Sequence, residues 1–162
     1  MRSKKTEETL KPWAYKDKPI ESLQDCPENS YGFIYLITST VSGKKYVGKK
    51  SLYSYRTTYS RKLNEKTGRL NKVKEVITRE SDWQNYFGSS VEIKELIKTE
   101  GTKQNFTREI LRFCFSKKEL TFREMQEQCI RNVLDSEEYI NSNILGKFFK
   151  GEFNYASSNT SS

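Results

Sequence analysis

The chain has 162 residues, of which 34% are hydrophobic, and its formal net charge is +8. This length predicts one domain with or without tails. No apolar run is long enough to cross a membrane and the basic N-terminal segment lacks an apolar signal core, so we expect no membrane association. A positive surplus of this size favours a polyanionic partner, most often nucleic acid.

The positive charge is concentrated in one stretch. Residues 44–79 contain 12 Lys or Arg residues and two Glu residues, a local net charge of +10 that exceeds the charge of the whole chain. The rest of the chain is therefore close to neutral. We expect a basic patch rather than a uniformly basic surface.

The chain has three cysteines and no histidine. Cys26, Cys114 and Cys129 are an odd number without C-x-x-C spacing, which argues against a disulfide framework or a zinc site and is typical of reduced thiols in a cytoplasmic protein. Without histidine, Ser-His-Asp and Cys-His catalysis are excluded. Any hydrolysis must use Tyr, Lys, Glu or Asp.

Residues 1–30 contain all three prolines among mixed charges, which predicts an extended N-terminal arm. Residues 31–50 predict a β-hairpin, because aromatic and β-branched residues alternate first and small polar residues then mark a turn. A turn centred between residues 40 and 41 would place Tyr35 directly opposite Tyr46. Two phenol groups would then share one face of the sheet.

Residues 51–80 follow with poor periodicity and predict a basic insertion. We expect a loop with one short helix within 53–66 and a second near 70–78. Tyrosines alternate with Ser and Arg in its first half, a pattern suited to phosphate contact combined with stacking or cation–π contact. The insertion is therefore the predicted nucleic-acid-binding surface.

The next segment, residues 81–90, contains three aromatic residues and predicts a turn anchored to the core, with a structural role. Ser89 and Glu92 have the spacing of a capping box, which predicts a helix over 90–99. Gly101 is its expected C-terminal stop.

Residues 105–115 carry mostly β-type residues and predict a third strand, after which Ser116 is the expected N-cap of a helix to about residue 134. The predicted buried stripe of this helix consists of Phe122, Met125, Cys129 and Val133. Residues 151–162 predict a flexible tail. The element order predicts an α+β fold, with a small three-stranded antiparallel sheet flanked by helices.

The predicted hairpin resembles the GIY-YIG nuclease family. Two short motifs at the family's spacing carry the resemblance, Phe33-Ile34-Tyr35 preceded by Gly32, and Tyr46-Val47-Gly48. The family's first triplet is Gly-Ile-Tyr, so the glycine here lies one position early, and Val47 replaces the usual Ile. The resemblance covers roughly residues 31–149 and points to the small bacteriophage members, including homing types. It implies a nuclease domain with the GIY-YIG fold over residues 31–150.

The resemblance implies a metal-dependent endonuclease that hydrolyses phosphodiester bonds of double-stranded DNA. Tyr35 would activate water as a general base, with Tyr46 supporting it by hydrogen bonding and cations such as Lys49 lowering its pKa. Arg56, on an expected helix at the family's distance from the second motif, would hold the scissile phosphate. Members of the family often carry His or Tyr one turn after this Arg, and Tyr59, which lies beside that position, is the candidate for the same role.

The family also uses one Glu as the ligand of a single divalent cation, and Glu124 is its best match, for Mg²⁺ or another cation such as Mn²⁺. On a helical wheel built from the predicted stripe, Glu124 points away from the core and Glu127 lies nearer to it, so Glu127 is the rival ligand. A late Asn that closes the family's site corresponds to Asn141 or Asn143.

The expected DNA contacts come from the basic residues of the hairpin and insertion and from the late Asn. They are Lys45, Lys49, Lys50, Arg61, Lys62, Arg69 and Asn141. Because a single site cuts one strand per encounter, double-strand cleavage would need a dimer on DNA or reorientation. The expected role is homing or the cleavage of host or competitor DNA, in the host cytoplasm if the chain is phage-encoded.

Two alternatives remain open. Asp82, Glu92 and Lys94 imitate the D…E-x-K pattern of restriction-type nucleases, although the E-x-K falls inside a predicted helix, where side chains two positions apart diverge. The other alternative is a DNA-binding module without catalysis, such as a decoy or a regulator, for which the same basic patch would serve.

Overall fold

The computed structural model describes residues 9–153, and these residues form an α+β fold. The helices are α1 (Val91–Glu100) and α2 (Lys117–Ile130). The strands are β1 (Trp13–Tyr15), β2 (Lys18–Ile20), β3 (Gly32–Ser39), β4 (Lys45–Ser51), β5 (Tyr53–Leu63), β6 (Leu70–Glu80), β7 (Phe106–Cys114), β8 (Asn143–Ile144) and β9 (Phe148–Phe149). No helix within the described residues has the length and apolarity needed to span a membrane.

The main sheet has the strand order β2-β1-β7-β3-β4. Its centre is the predicted three-stranded antiparallel sheet, because β3 pairs antiparallel with both β4 and β7. The N-terminal segment is not the extended arm that the prolines predicted, since β1 and β2 form a hairpin and β1 joins β7 in parallel. Residues 1–8 of that arm and residues 154–162 of the predicted tail lie outside the described residues.

The β3–β4 hairpin has a different register from the predicted one. Tyr35 lies opposite Gly48, and Tyr46 lies opposite Ile37, so the turn is centred between residues 41 and 42, one residue later than expected. The Ser39 hydroxyl accepts hydrogen bonds from the backbone amides of residues 41 and 42 and organises this turn. Because the shift is two residues, the two tyrosines still share one face of the sheet.

The basic insertion contains no helix between residues 53 and 80. Strands β5 and β6 form a two-stranded antiparallel ribbon that pairs without interruption from Tyr53–Glu80 to Leu63–Leu70. β-Branched and aromatic residues favour the extended conformation along both strands. The helix prediction is wrong, because residues 53–63 alternate at period two, which is the periodicity of a strand.

The sheet separates two apolar layers. Phe33, Tyr35 and Ile37 face the layer that contains Trp13, Trp83 and α1 residue Ile93. The alternate residues Ile34 and Val47 face α2, through Leu120. Trp13 and Trp83 are fully buried, and the indole of Trp13 donates to the Trp83 carbonyl, so the aromatic turn at 83–87 has the structural role predicted for it.

Helix α1 begins one residue later than predicted. Ser90, rather than Ser89, is the N-cap and accepts from the Ile93 amide, while Gly101 ends the helix in the left-handed conformation at φ 83° as expected.

Helix α2 begins after the predicted N-cap Ser116 but ends at Ile130. Its predicted stripe is right for Met125 and Val133, which pack in the core, and wrong for the other two residues. Phe122 is 51% exposed and Cys129 is exposed, whereas Leu120 and Gln128 are buried. The helix lies over the polar edge of β4 as well as over the sheet, so polar residues occupy part of its packed face.

Strand β4 is an edge strand of the main sheet, and the segment after α2 closes its open side. The backbone of Lys45 bonds to Glu138 and Ile140, and the Asn141 side chain continues the ladder as a two-point clamp on Val47. The Val47 amide donates to Asn141 Oδ1 at 3.0 Å, and Asn141 Nδ2 donates to the Val47 carbonyl at 2.8 Å. This clamp satisfies the buried Val47 amide, and it shares the Val47 carbonyl with the Gln128 side chain.

Asn141→Ala should lower the free energy of unfolding by about 1 to 3 kcal/mol, because it leaves the buried amide of Val47 without a partner and leaves the Val47 carbonyl with the Gln128 side chain alone. Urea denaturation monitored by far-UV circular dichroism measures the change. Asn71→Ala, an exposed amide on β6, is the matched control and should change stability by less than about 0.5 kcal/mol. Equal stability of the two variants would contradict the clamp.

Candidate active site

A polar cavity of about 170 Å³ lies at the outer edge of β4. Helix α2 forms one wall, the first turn of α1 forms another, and the segment from 141 to 145 closes it. The lining residues are Tyr46, Ser90, Glu92, Glu124, Gln128, Asn141, Ser142, Asn143 and Leu145. This cavity brings together Tyr46, the tyrosine of the second motif, and Glu124, the predicted metal ligand.

Glu124 lies in the cavity wall, and its side chain is 17% exposed. Its carboxylate forms an ion pair of 2.9 Å with Lys49, whose Nζ also lies 3.2 Å from the Thr121 hydroxyl. The helical wheel of the predicted stripe placed Glu124 away from the core, but that stripe is not the packed face. The packed face of α2 runs through Leu120, Glu124 and Gln128 at intervals of four residues.

The rival Glu127 does not line the cavity. Its carboxylate pairs instead with Arg131 on the following turn of α2, at 3.3 Å. Of the two glutamates, only Glu124 is therefore in contact with the cavity that also holds Tyr46.

The two motif tyrosines pack against each other through a glycine. Their ring centroids lie 6.2 Å apart. A Cβ added to Gly48 would lie 2.6 Å from Cζ of Tyr35 and 3.0 Å from Cε1 of Tyr46, so only glycine fits between the rings. Tyr46 reaches the cavity, whereas Tyr35 is 1% exposed and lies behind it.

The pKa of Tyr35 is raised well above its ordinary value, opposite to the sequence-based expectation. Burial is the main cause, and the neighbouring phenols of Tyr86 and Tyr46 and the Glu124 carboxylate add to it. The cations expected to lower this pKa are neutralised, since Lys49 pairs with Glu124 and Lys50 pairs with Asp82.

Burial also raises the pKa of Tyr46, although the Ser90 hydroxyl opposes the shift by hydrogen bonding to the phenol oxygen. Both phenols are therefore protonated at neutral pH in the protein alone.

Glu92 reaches the same cavity from the first turn of α1. Its pKa is lowered, chiefly by a hydrogen bond from the Ser142 side chain, so it is ionised at neutral pH. The D…E-x-K arrangement does not converge, because Asp82 and Lys94 line a separate depression beside Tyr86, away from Glu92. As expected, the helix directs residues 92 and 94 to different places.

The predicted basic contacts on β4 are partly engaged within the chain. Lys45 pairs with Glu138 at 3.0 Å, and Lys50 lies 4.1 Å from the Tyr86 ring as well as pairing with Asp82. Their positive charges are therefore offset locally.

The remaining predicted residues lie on the ribbon or are buried. Arg56 is on the exposed strand β5 rather than on a helix, and it does not line the cavity. Tyr59, Arg61 and Lys62 lie further along β5, and Arg69 lies in the loop before β6. Asn141 is 2% exposed and both of its amide atoms bond to Val47, so its side chain serves the fold at the cavity wall.

The donors around the cavity fit a hard divalent cation. Glu124 and Glu92 supply carboxylate oxygens, and Ser and Asn side chains supply neutral oxygens. No group of three or more Asp, Glu, His or Cys residues within 9–153 could enclose a metal ion. Mg²⁺ suits such a site because it is held by one or two carboxylates and keeps several waters.

Sequence reasoning missed several side chains of the site region, among them Tyr86, Gln128 and Ser142. Gln128 lies four residues after Glu124, so the helical repeat was a usable signal. Tyr86, which hydrogen-bonds Tyr35, and Ser142 come from segments distant in sequence, and their approach depends on the fold.

Residues 13–144 match a family model described as "Putative endonuclease segE, GIY-YIG domain". A search of curated proteins and a search of solved structures each found no match. The family match covers most of the chain, including both tyrosine motifs, the ribbon, both helices and the Asn141 clamp.

The raised pKa of Tyr35 predicts a loss of stability in alkali. Above about pH 10 an unfolded tyrosine loses its proton while the folded Tyr35 keeps it, so the free energy of unfolding should fall as pH rises. Tyr35→Phe should remove up to about 1.4 kcal/mol per pH unit of this decline. Urea denaturation between pH 8 and 11 measures it, with Tyr59→Phe on the exposed ribbon as control. An unchanged slope in Tyr35→Phe would contradict the assignment.

Proposed function

This chain belongs to the GIY-YIG endonuclease family, and we propose that it is a metal-dependent endonuclease that hydrolyses phosphodiester bonds of double-stranded DNA. The observation that supports this proposal is the meeting of Tyr46 and Glu124 in one cavity at the edge of β4. The two residues are 78 positions apart in sequence, and their convergence supplies a phenol and a carboxylate to one reacting centre.

Glu124 would hold the cation, with Glu92 as a second carboxylate on the opposite wall. A bound divalent cation would supply positive charge for the leaving oxygen and make a nearby water more acidic. Lys49 now neutralises Glu124, so it would have to release the carboxylate to the cation. Its ammonium group would then be available to a phosphate oxygen.

Tyr46 is the phenol that can touch a water molecule in the cavity. Its role would be to orient the attacking water. Once positive charge in the cavity lowers its pKa, the phenol would release its proton to solvent, and the resulting phenolate would accept the proton of the attacking water. Tyr35 would be a positioning residue, because it is buried behind Tyr46 and packs between that ring and Tyr86. This division revises the expectation that Tyr35 is itself the base.

The biological role that we propose is homing or the cleavage of host or competitor DNA, in the cytoplasm of the host cell. One cavity serves one strand at a time, so a double-strand break would need a second copy of the chain or reorientation on DNA.

The cleavage experiment uses supercoiled plasmid and phage genomic DNA with Mg²⁺, with Mn²⁺ and with EDTA. Glu124→Gln should lower the rate of nicking by at least about 100-fold, because it removes the charged cation ligand. Tyr46→Phe should lower it by about 10- to 100-fold. Glu127→Gln is the matched control on the same helix and should stay within about threefold of the wild type.

Loss of cleavage in Glu127→Gln but not in Glu124→Gln would contradict the assigned ligand. Loss in Asp82→Asn and Lys94→Met with retention in Glu124→Gln would favour the D…E-x-K arrangement instead. DNA that is retarded in a gel but uncut by the wild type under every condition would favour a DNA-binding module without catalysis.

A further inference from the structure

We propose that the β5–β6 ribbon is a DNA-binding arm that lies in the major groove of the duplex held at the active site. The proposal rests on the proposed function for the identity of its partner, duplex DNA. It adds a second contact region, separate from the cavity, that would set affinity and the position of cutting.

The dimensions of the ribbon match those of the groove. Its strands pair in register over 11 residues each, from Tyr53–Glu80 at the base to Leu63–Leu70 at the tip. At a rise of about 3.4 Å per residue the ribbon extends about 35 Å, close to one turn of B-DNA. The major groove of B-DNA is wide enough to admit a two-stranded β-ribbon.

The ribbon projects from the rest of the domain. Its two strands contact each other extensively and contact other elements little. Near the base, the Tyr55 ring stacks on Tyr31 at 5.7 Å between centroids. Towards the tip, Tyr59 is 60% exposed and Leu63 and Leu70 are about as exposed. An isolated two-stranded ribbon is only marginally stable, so a long exposed one with apolar side chains indicates a surface that is covered by a partner.

The net positive charge of the ribbon indicates that this partner is a polyanion. Residues 53–80 contain eight Lys or Arg residues and three Glu residues, a net charge of +5. A second copy of the ribbon would be repelled by the same charge, which argues against edge-to-edge pairing between chains. The phosphate backbone of duplex DNA is attracted to it.

The two faces of the ribbon differ. We define the tyrosine face by Tyr59, Arg61, Lys72 and Lys74, which the strand register places on one side. Lys72 Nζ lies 4.2 Å from the centre of the Tyr59 ring. No carboxylate of residues 9–153 forms an ion pair with the three cations of this face, whereas on the opposite face Lys62 pairs with Glu75 at 3.0 Å. No carboxylate therefore neutralises the cations of the tyrosine face, and its Tyr59 ring is exposed, so this is the side that we place against DNA.

The test measures binding of the full chain to a mixed-sequence 30-bp DNA duplex by fluorescence anisotropy between 50 and 200 mM salt, with EDTA to prevent cleavage. The triple variant R61Q/K72Q/K74Q should bind at least about tenfold more weakly at 50 mM salt. The slope of log K against log salt should become shallower by about 2.7, since each phosphate contact contributes about 0.9.

Two matched variants remove the same charge elsewhere. K18Q/K98Q/K118Q, on exposed residues of the body, should bind within about threefold of the wild type, and R56Q/K62Q/R79Q on the opposite face should lose less affinity than the tyrosine-face triple. Thermal unfolding followed by circular dichroism confirms that each variant is folded. In dimethyl sulfate footprinting, the wild type should protect guanine N7 in the major groove, and R61Q/K72Q/K74Q should not.

Equal loss in the body triple and the tyrosine-face triple would overturn the proposal, because binding would then depend on net charge alone. Stronger binding of single-stranded DNA or duplex RNA than of duplex DNA would also overturn it, since A-form RNA has a major groove too narrow for the ribbon. Ribbon-dependent binding without any cleavage would sustain this proposal while contradicting the nuclease. Cleavage by a protein whose DNA binding does not depend on the ribbon would sustain the nuclease and contradict this proposal.

Discussion

The exposed edge of β4 is the constraint from which the rest of the site follows. When other segments of the same chain cover an edge strand, the backbone amides and carbonyls along that edge need hydrogen-bond partners. Here Asn141 and Gln128 both bond to Val47. Gln128 anchors α2 at this edge, and Asn141 anchors the segment after it. Both anchors also line the cavity, so the interactions that close the sheet are the ones that assemble Glu124 beside Tyr46.

The second constraint is the contact between the motif tyrosines across Gly48. The absence of a side chain at that position lets the Tyr35 ring approach the β4 backbone, which buries its phenol and holds the Tyr46 ring at the cavity. Burial has a chemical consequence, since it raises the pKa values of both phenols. In the proposed mechanism, positive charge must enter the cavity before Tyr46 can act as a base, which would couple this tyrosine to the cation that we propose for Glu124.

The domain divides its positive charge between two regions with different surroundings. On β4, Lys45, Lys49 and Lys50 each pair with a carboxylate, so the charge near the cavity is largely compensated. On the ribbon, several cations have no such partner among the described residues. This division fits a body that performs chemistry and an arm that holds a polyanion, because local pairing preserves a defined site while unpaired cations provide long-range attraction.

The sequence by itself determined the hairpin with its two tyrosines on one face, the third strand, both helix starts to within one residue, the family and Glu124 as ligand candidate. The elements depend on local periodicity and capping residues, and the family and Glu124 depend on resemblance to the family's motifs. Only the tertiary structure decided that the insertion is a ribbon, that Asn141 clamps Val47, that Glu92 lines the same cavity as Glu124 and that the Tyr35 phenol is buried. Those facts depend on which distant segments meet at the edge of β4, and neither local propensity nor charge pattern carries that information.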